Sequence, residues 1–333
     1  MKRRELIFRR IISLITIFMV LISNIPIVTN ANVKEGDFSE AIEKAINYID
    51  GEQNKDGSFG GQEELKPLIT SRAVKLYKEL GIEKDSLIKA EKWINENEFN
   101  NNDFLGRVLP YLNEEVKQGV IQDILLSQNS DGGFGLKKGY GSDILDTILI
   151  IDALKNEELN DVLINAINYI VANQNEDGSW SNISGSEGDI KLTGLVRSVL
   201  INIQNEKNIN LSNEIKKSSK WLTKNINTNN KFMENYYLYL GLYNDSYDYV
   251  TNIAEEIKNN QKENGSCEDD IYKTILMADL LVKDKKINEA GIQDIKLLVN
   301  NTEVNSINGN NKLTIKPEYS GRNCTVEVLI VDA

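Results

Sequence analysis

The stretch QNSDGGFG, Gln128–Gly135, decides the fold because close copies of it recur along the chain. The copies are QNKDGSFG from Gln53, QNEDGSW from Gln174 and QKENGSC from Gln261. Each one follows an apolar run with helical spacing and precedes another. Asp-Gly and Asn-Gly pairs are typical of tight turns. A turn repeated in this way predicts a fold built from helical hairpins.

The spacing of the copies indicates two further units that have lost part of the motif. The glutamines are 75, 46 and 87 residues apart, so two gaps are nearly twice the third. KWINENEFNNNDFLG (92–106) and KWLTKNINTNNKFMEN (220–235) lie midway in the long gaps. Both keep an aromatic-ended helix and an Asn-rich turn but lack the Gln and Gly. Six units with a period of about 42 residues follow.

Each unit contains two helices of different character. The first has apolar residues at i, i+3, i+4 and i+7, as in NDVLINAINYIVANQ (160–174). The second is apolar nearly all round, as in SDILDTILIIDALK (142–155), which predicts an inner, more buried helix. Six such hairpins predict an all-α fold, a closed α/α toroid over residues 38–290, with an open solenoid as the alternative.

The two ends of the chain differ from the repeats. Residues 291–333 contain KLTIKPEYSG and TVEVLIVDA, which predict a β segment or an incomplete sandwich module. Residues 1–31 combine a basic start, an apolar run and small residues before Ala31, which predicts a signal peptide, with an uncleaved membrane anchor as the alternative. We therefore expect a secreted or cell-surface protein without a stable membrane anchor once the signal peptide is cleaved.

Charge and composition exclude several classes of function. Residues 1–31 carry five basic residues and one acidic residue, so without them the net charge of −12 becomes −16. A chain this acidic is not attracted to nucleic acid. It has no histidine, which excludes Ser-His-Asp and Cys-His nucleophile systems and any His-containing zinc site. Cys267 and Cys324 allow at most one disulfide.

The repeats resemble the prenyltransferase and squalene-oxidase repeat family, the QW-type units of squalene–hopene and oxidosqualene cyclases. The resemblance rests on QNKDGSFG, QNSDGGFG and QNEDGSW with their flanking helices, and it covers roughly residues 38–290. It implies an α/α toroid. It does not imply one function, because the same fold serves protein prenyltransferases, complement-type thioester domains and cobalamin carriers.

The catalytic motifs of these proteins are not matched. Cyclases of this type protonate their substrate with the central Asp of D-x-D-D-T, and in DILDT (143–147) that position is Leu145. The ionising D-D-x-x-D motif fails at Lys273, and the thioester motif has Asp270 where Gln belongs. The zinc site of protein prenyltransferases needs a His. We therefore predict no catalytic residue and no cofactor.

Several acidic residues start the inner helices, four residues before a Thr. An Asp in this position caps free amides of the first helical turn. The same acids are candidates for ligand binding if they line one mouth of the toroid: Asp143, Asp146, Asp189, Asp269 and Asp270. A cluster of tyrosines is the second candidate surface, for a sugar or lipid, although hydroxyls in contact with water at a helix edge are commoner: Tyr236, Tyr237, Tyr239, Tyr243, Tyr247 and Tyr249.

The repeated motif itself is interpreted as structural. In the first copy, Glu52, Asn54, Asp56, Gly57 and Glu63 match a calcium loop loosely, but the other copies fail at the last position, so we predict no metal. The motif residues are Gln53, Asp56, Gly57, Phe59, Gln128, Asp131, Gly132, Phe134, Gln174, Asp177, Gly178, Trp180, Gln261 and Gly265. We expect the Gln to bond a neighbouring helix end and the aromatic residue to pack between hairpins.

An intact scaffold without a matched catalytic motif favours a non-catalytic extracellular module that binds a ligand or a cell-surface partner whose identity the sequence does not give. One alternative is an enzyme of the prenyltransferase or terpene cyclase type acting on an isoprenoid. Another is a carrier of a small molecule, of the cobalamin type.

Overall fold

The computed structural model describes residues 38–289 apart from 159, 184, 227–229, 244 and 246, and the segments 292–299, 302–303 and 313–319. Within these residues the chain forms twelve α-helices, and none of them is both long enough and apolar enough to cross a bilayer.

The helices form six hairpins, each with one outer and one inner helix. The outer helices are α1 Ser39–Gly51, α3 Asp85–Glu96, α5 Glu114–Leu125, α7 Asp161–Ala172, α9 Ser212–Lys224 and α11 Tyr247–Lys258. The inner helices are α2 Lys66–Glu79, α4 Asn102–Val108, α6 Ile144–Leu154, α8 Ile190–Lys207, α10 Phe232–Leu242 and α12 Ile271–Glu289. Two short 3₁₀ turns, Glu63–Leu65 and Leu109–Tyr111, join them.

Burial distinguishes the two sets as the sequence predicts. Inner helix α6 buries nine of its eleven residues, whereas outer helix α5 buries two of twelve. The inner helices are apolar nearly all round because outer helices cover one side of them and neighbouring inner helices cover the other. The predicted all-α toroid of six hairpins is confirmed.

The four intact motifs share one set of contacts, in which the Gln side chain links successive outer helices. We call this set of contacts the clasp. Gln128 Nε2 donates to the Gly132 carbonyl of its own turn at 2.8 Å and to the Val162 carbonyl at the start of α7, also at 2.8 Å. Gln53 and Gln174 bond the carbonyls of Ser86 and Glu214 in the same way. Each turn thereby fixes the N-terminal end of the next outer helix.

The glycine of the clasp is required by both conformation and space. Gly57, Gly132, Gly178 and Gly265 have φ between +86° and +95°. A Cβ at any of them would lie closer than 3.0 Å to a backbone carbonyl oxygen of the next outer helix. A side chain there would strain the backbone and push the two helices apart.

The fourth clasp closes the ring. Gln261 Nε2, after the last outer helix, donates to the carbonyl of Ala41 in the first outer helix at 2.8 Å. Helix α12 packs against α1 and α2, and Lys283 Nζ forms an ion pair with Glu79 at 3.2 Å. The toroid is closed, and the open solenoid is not adopted.

The two degenerate units keep a reduced version of the clasp. Asn97 Nδ2 donates to the Trp93 carbonyl at 2.7 Å, and Asn225 Nδ2 donates to the Trp221 carbonyl at 2.8 Å. The first degenerate unit still reaches the next outer helix, because the Asn113 amide at the N-cap of α5 donates to Asn95 Oδ1 at 2.6 Å. In the second unit the Asn225 bond only ends its own outer helix.

A short antiparallel sheet follows the helices, in the order β2-β1-β3. The strands are β1 Ile292–Val299, β2 Thr302–Glu303 and β3 Leu313–Tyr319. Strand β3 falls within the predicted KLTIKPEYSG strand, whereas TVEVLIVDA and the predicted signal peptide lie outside the described residues.

Candidate functional site

A cavity of about 500 Å³ lies where the N-terminal turns of three inner helices meet. Its walls come from α6, α8, α10, the end of α4 and the loop that precedes α8. Most of the lining is apolar, with charged groups among it: Arg107, Leu145, Ser181, Asn182, Ile183, Ser186, Glu187, Asp189, Lys191, Leu192, Leu195, Met233 and Tyr237. A volume of this size is typical of sites for small molecules.

Leu145 is placed in the cavity wall by the way α6 begins. Asp143 caps the helix, accepting the Asp146 amide at 2.8 Å, so residue 145 falls in the first turn. The Leu145 amide, free at a helix start, donates to Asn182 Oδ1 at 3.1 Å. The loop before α8 is thus attached to α6, and the position where terpene cyclases carry their acid faces the cavity with an apolar side chain.

Three of the five predicted acids act as helix caps. Besides Asp143, Asp189 accepts the Leu192 amide at 2.7 Å and Asp270 accepts the Lys273 amide at 2.9 Å. The Thr four residues later also has a structural use, since Thr147 Oγ1 accepts the Phe134 amide at 2.9 Å. The repeated Asp and Thr therefore join the inner helix to the clasp turn.

The five acids do not line one pocket. Asp189 lines the cavity, and Asp143 and Asp146 lie at the start of the adjacent helix. Asp269 and Asp270 belong to the turn before α12 and take no part in the lining; Asp269 pairs with Lys262. A ligand-binding role for any of them stays a prediction.

Asp146 is the unusual member of this group. Asp146 is buried, with 4% of its surface exposed. Burial, followed by the hydrogen bond and the negative charge of Asp143 and the charge of Asp103, raises its pKa to about 8, against the weaker opposite effect of Arg107. Asp146 therefore carries a proton at neutral pH. It follows Leu145 in α6 but is not among the residues that line the cavity.

Arg107 connects this acidic cluster to the cavity. It is held by Asp103 one turn earlier on α4, with Nη2 to Oδ1 at 2.7 Å and Nε to both oxygens at 3.2 Å. It also lines a second, smaller pocket of 110 Å³ farther along the toroid axis. Sequence reasoning missed Arg107, although a cation on a short inner helix was a usable signal.

The tyrosine cluster is mostly internal. Tyr236 donates to Asp279 Oδ2 at 2.8 Å and Tyr239 donates to Asp284 Oδ1 at 2.9 Å, and both tyrosines are fully buried. The expectation of hydroxyls in contact with water is wrong for these two, because buried carboxylates are their partners. Tyr237 lines the cavity. The side chains of Tyr247 and Tyr249 lie outside the description.

The glutamines and glycines of the motif form the clasp, and the aspartate of the first copy is held by groups of the protein. Asp56 accepts the Ser58 amide at 3.0 Å and pairs with Lys66 at 3.1 Å, so the candidate calcium loop is held by protein groups. Across the described residues no three His, Cys, Asp or Glu side chains are grouped to hold a metal ion. Cys267 is buried, and Cys324 lies outside the description.

The sequence matches the family described as "Prenyltransferase alpha-alpha toroid domain" over residues 8–109 and 99–237. A search of curated protein sequences found no match.

Solved structures of type II terpene cyclase MstE from Scytonema are similar in fold. The apo enzyme is 13% identical with a TM-score of 0.60, covering 75% of this chain and 98% of the cyclase. A variant with its substrate geranylgeranyl dihydroxybenzoate bound is 12% identical with a TM-score of 0.62, covering 77% and 99%. A protein from Actinoplanes is 12% identical with a TM-score of 0.55, covering 74% and 98%.

Proposed function

The chain belongs to the prenyltransferase alpha-alpha toroid domain family, and from this premise we propose that it holds an isoprenoid in its 500 Å³ cavity and acts on it as an enzyme of the prenyltransferase and terpene cyclase type. The similarity to terpene cyclases in fold supports this function over the non-catalytic module that the sequence motifs favour. The observation that carries the proposal is the cavity itself.

The lining suits an unsaturated hydrocarbon chain. Leu145, Leu192, Leu195 and Met233 present apolar side chains from three inner helices, and Tyr237 adds an aromatic ring. Transfer of an isoprenoid chain from water to such a surface is favourable by roughly 25 cal/mol per Å² buried. An aromatic face also attracts a cation, the kind of intermediate that isoprenoid chemistry produces.

The proton source differs from the family pattern. Leu145 has no proton to give, whereas Asp146, the next residue of α6, has one and interacts electrostatically with Arg107, which lines the cavity. An acid with a pKa near the working pH is suited to general-acid assistance at an oxygen atom. It is a poor acid for direct protonation of an alkene. We therefore propose an oxygenated isoprenoid as substrate.

A carrier is the second candidate, and Leu145 is the observation that favours it. With an apolar side chain at the position of the acid, the cavity can hold an isoprenoid without starting a reaction. Export of the protein through residues 1–31 fits either candidate and stays a proposal, since those residues lie outside the description.

The test is to incubate the full chain with geranylgeraniol, geranylgeranyl diphosphate and squalene. Binding is followed by the shift in Tm, and products by gas chromatography with mass spectrometry. We expect saturable binding and turnover of an oxygenated substrate that Asp146→Asn abolishes. Stoichiometric binding without any product would overturn the enzyme and support the carrier.

The matched pair of variants is Leu145→Trp and Ile88→Trp. The first fills the cavity, and the second adds the same ring to the outer helix α3 at a residue that is 62% exposed. We expect Leu145→Trp to lose binding and Ile88→Trp to keep it. Equal binding by both variants would place the isoprenoid elsewhere and reject the proposed site.

A further inference from the structure

The smaller pocket, 110 Å³ in volume, lies toward the C-terminal halves of the inner helices and has a different chemistry from the cavity. Its lining is rich in cations although the chain as a whole is strongly acidic. The residues are Ser71, Arg72, Lys75, Gly106, Arg107, Pro110, Tyr111, Leu149, Asp152 and Lys155.

Most of the cations in and around this pocket have a carboxylate partner. Arg107 pairs with Asp103 at 2.7 Å, and Lys155 pairs with Asp152 at 3.0 Å. Four pairs remain on α2 and α12. Two join the helices, Lys283 to Glu79 at 3.2 Å and Lys75 to Asp279 at 3.4 Å. The other two lie within one helix, Lys283 to Asp279 at 2.7 Å in α12 and Lys75 to Glu79 at 3.5 Å in α2.

Arg72 is the exception. Among the described residues no side chain or backbone group lies at hydrogen-bond or ion-pair distance from its guanidinium. The nearby Asp279 is already occupied, since Lys75 and Lys283 bond Oδ1 and the Tyr236 hydroxyl bonds Oδ2. Five cations thus face four carboxylates, and the excess charge belongs to Arg72.

An arginine in such a place needs an acceptor. It cannot lose its proton, and a guanidinium without a partner away from bulk water is costly. Its neighbours Ser71 and Ala73 are buried, whereas Arg72 keeps part of its surface accessible and lines the pocket. The pocket is well above the roughly 10–15 Å³ that one water requires, so it has room for a small ion.

We propose that this pocket binds a small oxyanion, with Arg72 as its main ligand and Lys75 and Arg107 in support. Phosphate matches the planar donors of an arginine especially well. The side chains of Lys155 and Asp152 remain 28% and 41% exposed, so the pocket is open to an ion from solvent. The anion is either free phosphate or the phosphate head of a ligand whose apolar part lies in the cavity, which Arg107 also lines.

The inference does not rest on the proposed isoprenoid chemistry, and inorganic phosphate tests it alone. The Tm of the full chain is measured against phosphate concentration, with sodium chloride at matched ionic strength as the reference. We expect a saturable rise in Tm with phosphate that chloride does not reproduce. A response equal to that of chloride would overturn the site.

The matched variants are Arg72→Met and Lys78→Met on the same helix. Lys78 is 48% exposed and pairs with Glu91 of the outer helix α3. We expect Arg72→Met to weaken phosphate binding at least tenfold and Lys78→Met to leave it unchanged. Without phosphate, Arg72→Met should change the Tm only slightly, because Arg72 has no hydrogen-bonded partner to lose and acts on Asp279 through its charge alone. Phosphate binding that is unchanged in Arg72→Met would overturn the inference.

Farnesyl phosphate and farnesol separate the two sources of the anion. If farnesyl phosphate binds more tightly than both farnesol and inorganic phosphate, and Arg72→Met loses this advantage, the site is supported and the anion is the phosphate head of a ligand. Binding of farnesyl phosphate no tighter than that of inorganic phosphate supports the site and assigns it to the free ion. If the parent protein binds inorganic phosphate but does not bind farnesol, the isoprenoid proposal is rejected and the phosphate site is not.

Discussion

Asp146 and Asp279 are both 4% exposed on inner helices, yet their surroundings hold them in opposite protonation states. Asp146 sits beside Asp143 and Asp103, and burial together with these charges raises its pKa to about 8. Burial also opposes the ionisation of Asp279, but Lys283, Lys75 and Arg72 outweigh it and hold its pKa well below the ordinary range. Burial alone therefore does not decide the charge of a carboxyl group here.

The two aspartates mark two chemically different parts of the toroid axis. Near Asp146 the wall is apolar, and the charged groups nearby are mostly carboxylates. Near Asp279 the helices α2 and α12 are joined by ion pairs, with a surplus of positive charge. A ligand with an apolar body and an anionic end would match this polarity along the axis.

The largest effect is expected from Asp279→Asn. The substitution leaves Glu79 as the carboxylate partner of both Lys75 and Lys283, and it removes the negative charge near Arg72. Removal of one partner from a buried ion cluster costs about 3–5 kcal/mol. The free energy of unfolding, measured in urea without phosphate, should fall by that amount.

Asp152→Asn is the control for Asp279→Asn, since its side chain is 41% exposed and pairs with Lys155 alone. Exposed pairs contribute at most about 1 kcal/mol. Equal losses in the two variants would mean that the cluster around Asp279 is no more important than a surface pair.

The protonation state of Asp279 was not predictable from local sequence. Asp279 lies within the apolar run ILMADLLV, and its partners Lys75 and Tyr236 are 204 and 43 residues away. The fold was predictable, because the clasp is a local pattern repeated four times whose contacts recur at each copy. The acids of the first helical turns were found for the same reason. Which of them faces the cavity depends on the loop before α8, whose path no periodicity describes.

The second prediction concerns pH. The folded-state pKa of Asp146 is raised above its unfolded value of about 3.9, so the folded state binds the extra proton. Its contribution to stability is complete below about pH 4 and is lost as the pH rises through about 8. The slope is at most on the order of 1.4 kcal/mol per pH unit.

Asp146→Asn should remove this slope, because the amide resembles the protonated acid and does not titrate. The two proteins should differ by about 1 kcal/mol or less near pH 4, and Asp146→Asn should become increasingly more stable than the parent as the pH rises toward 8. Urea denaturation at pH 5, 7 and 9 measures the difference. Asp279 makes the opposite contribution, which is lost only as the pH falls below about 4. A parent and Asp146→Asn with parallel profiles from pH 5 to 9 would show that Asp146 is ionised in the folded state.

Leu145→Asp tests whether the apolar end can be made to resemble the family motif. Leu145 is only partly buried, so the substitution should cost about 1–2 kcal/mol in lost apolar contact and repulsion from Asp143 and Asp146. The new carboxylate should raise the pKa of Asp146 further. We expect product from squalene only in this variant. A variant that folds and binds squalene but forms no product would show that the cavity does not position the chain for protonation.

The smallest effect distinguishes the two lysines that hold Asp279. Lys75 Nζ lies 3.4 Å from Asp279 with its side chain 31% exposed, whereas Lys283 Nζ lies at 2.7 Å and is 23% exposed. The shorter and less solvated pair should contribute more, so Lys75→Met is expected to cost about 0.5–1 kcal/mol and Lys283→Met about twice that. Urea denaturation of both variants and of their double mutant measures the coupling. If Lys75→Met costs more than Lys283→Met, Asp279 is held ionised from the pocket side by Lys75 and Arg72 rather than along its own helix.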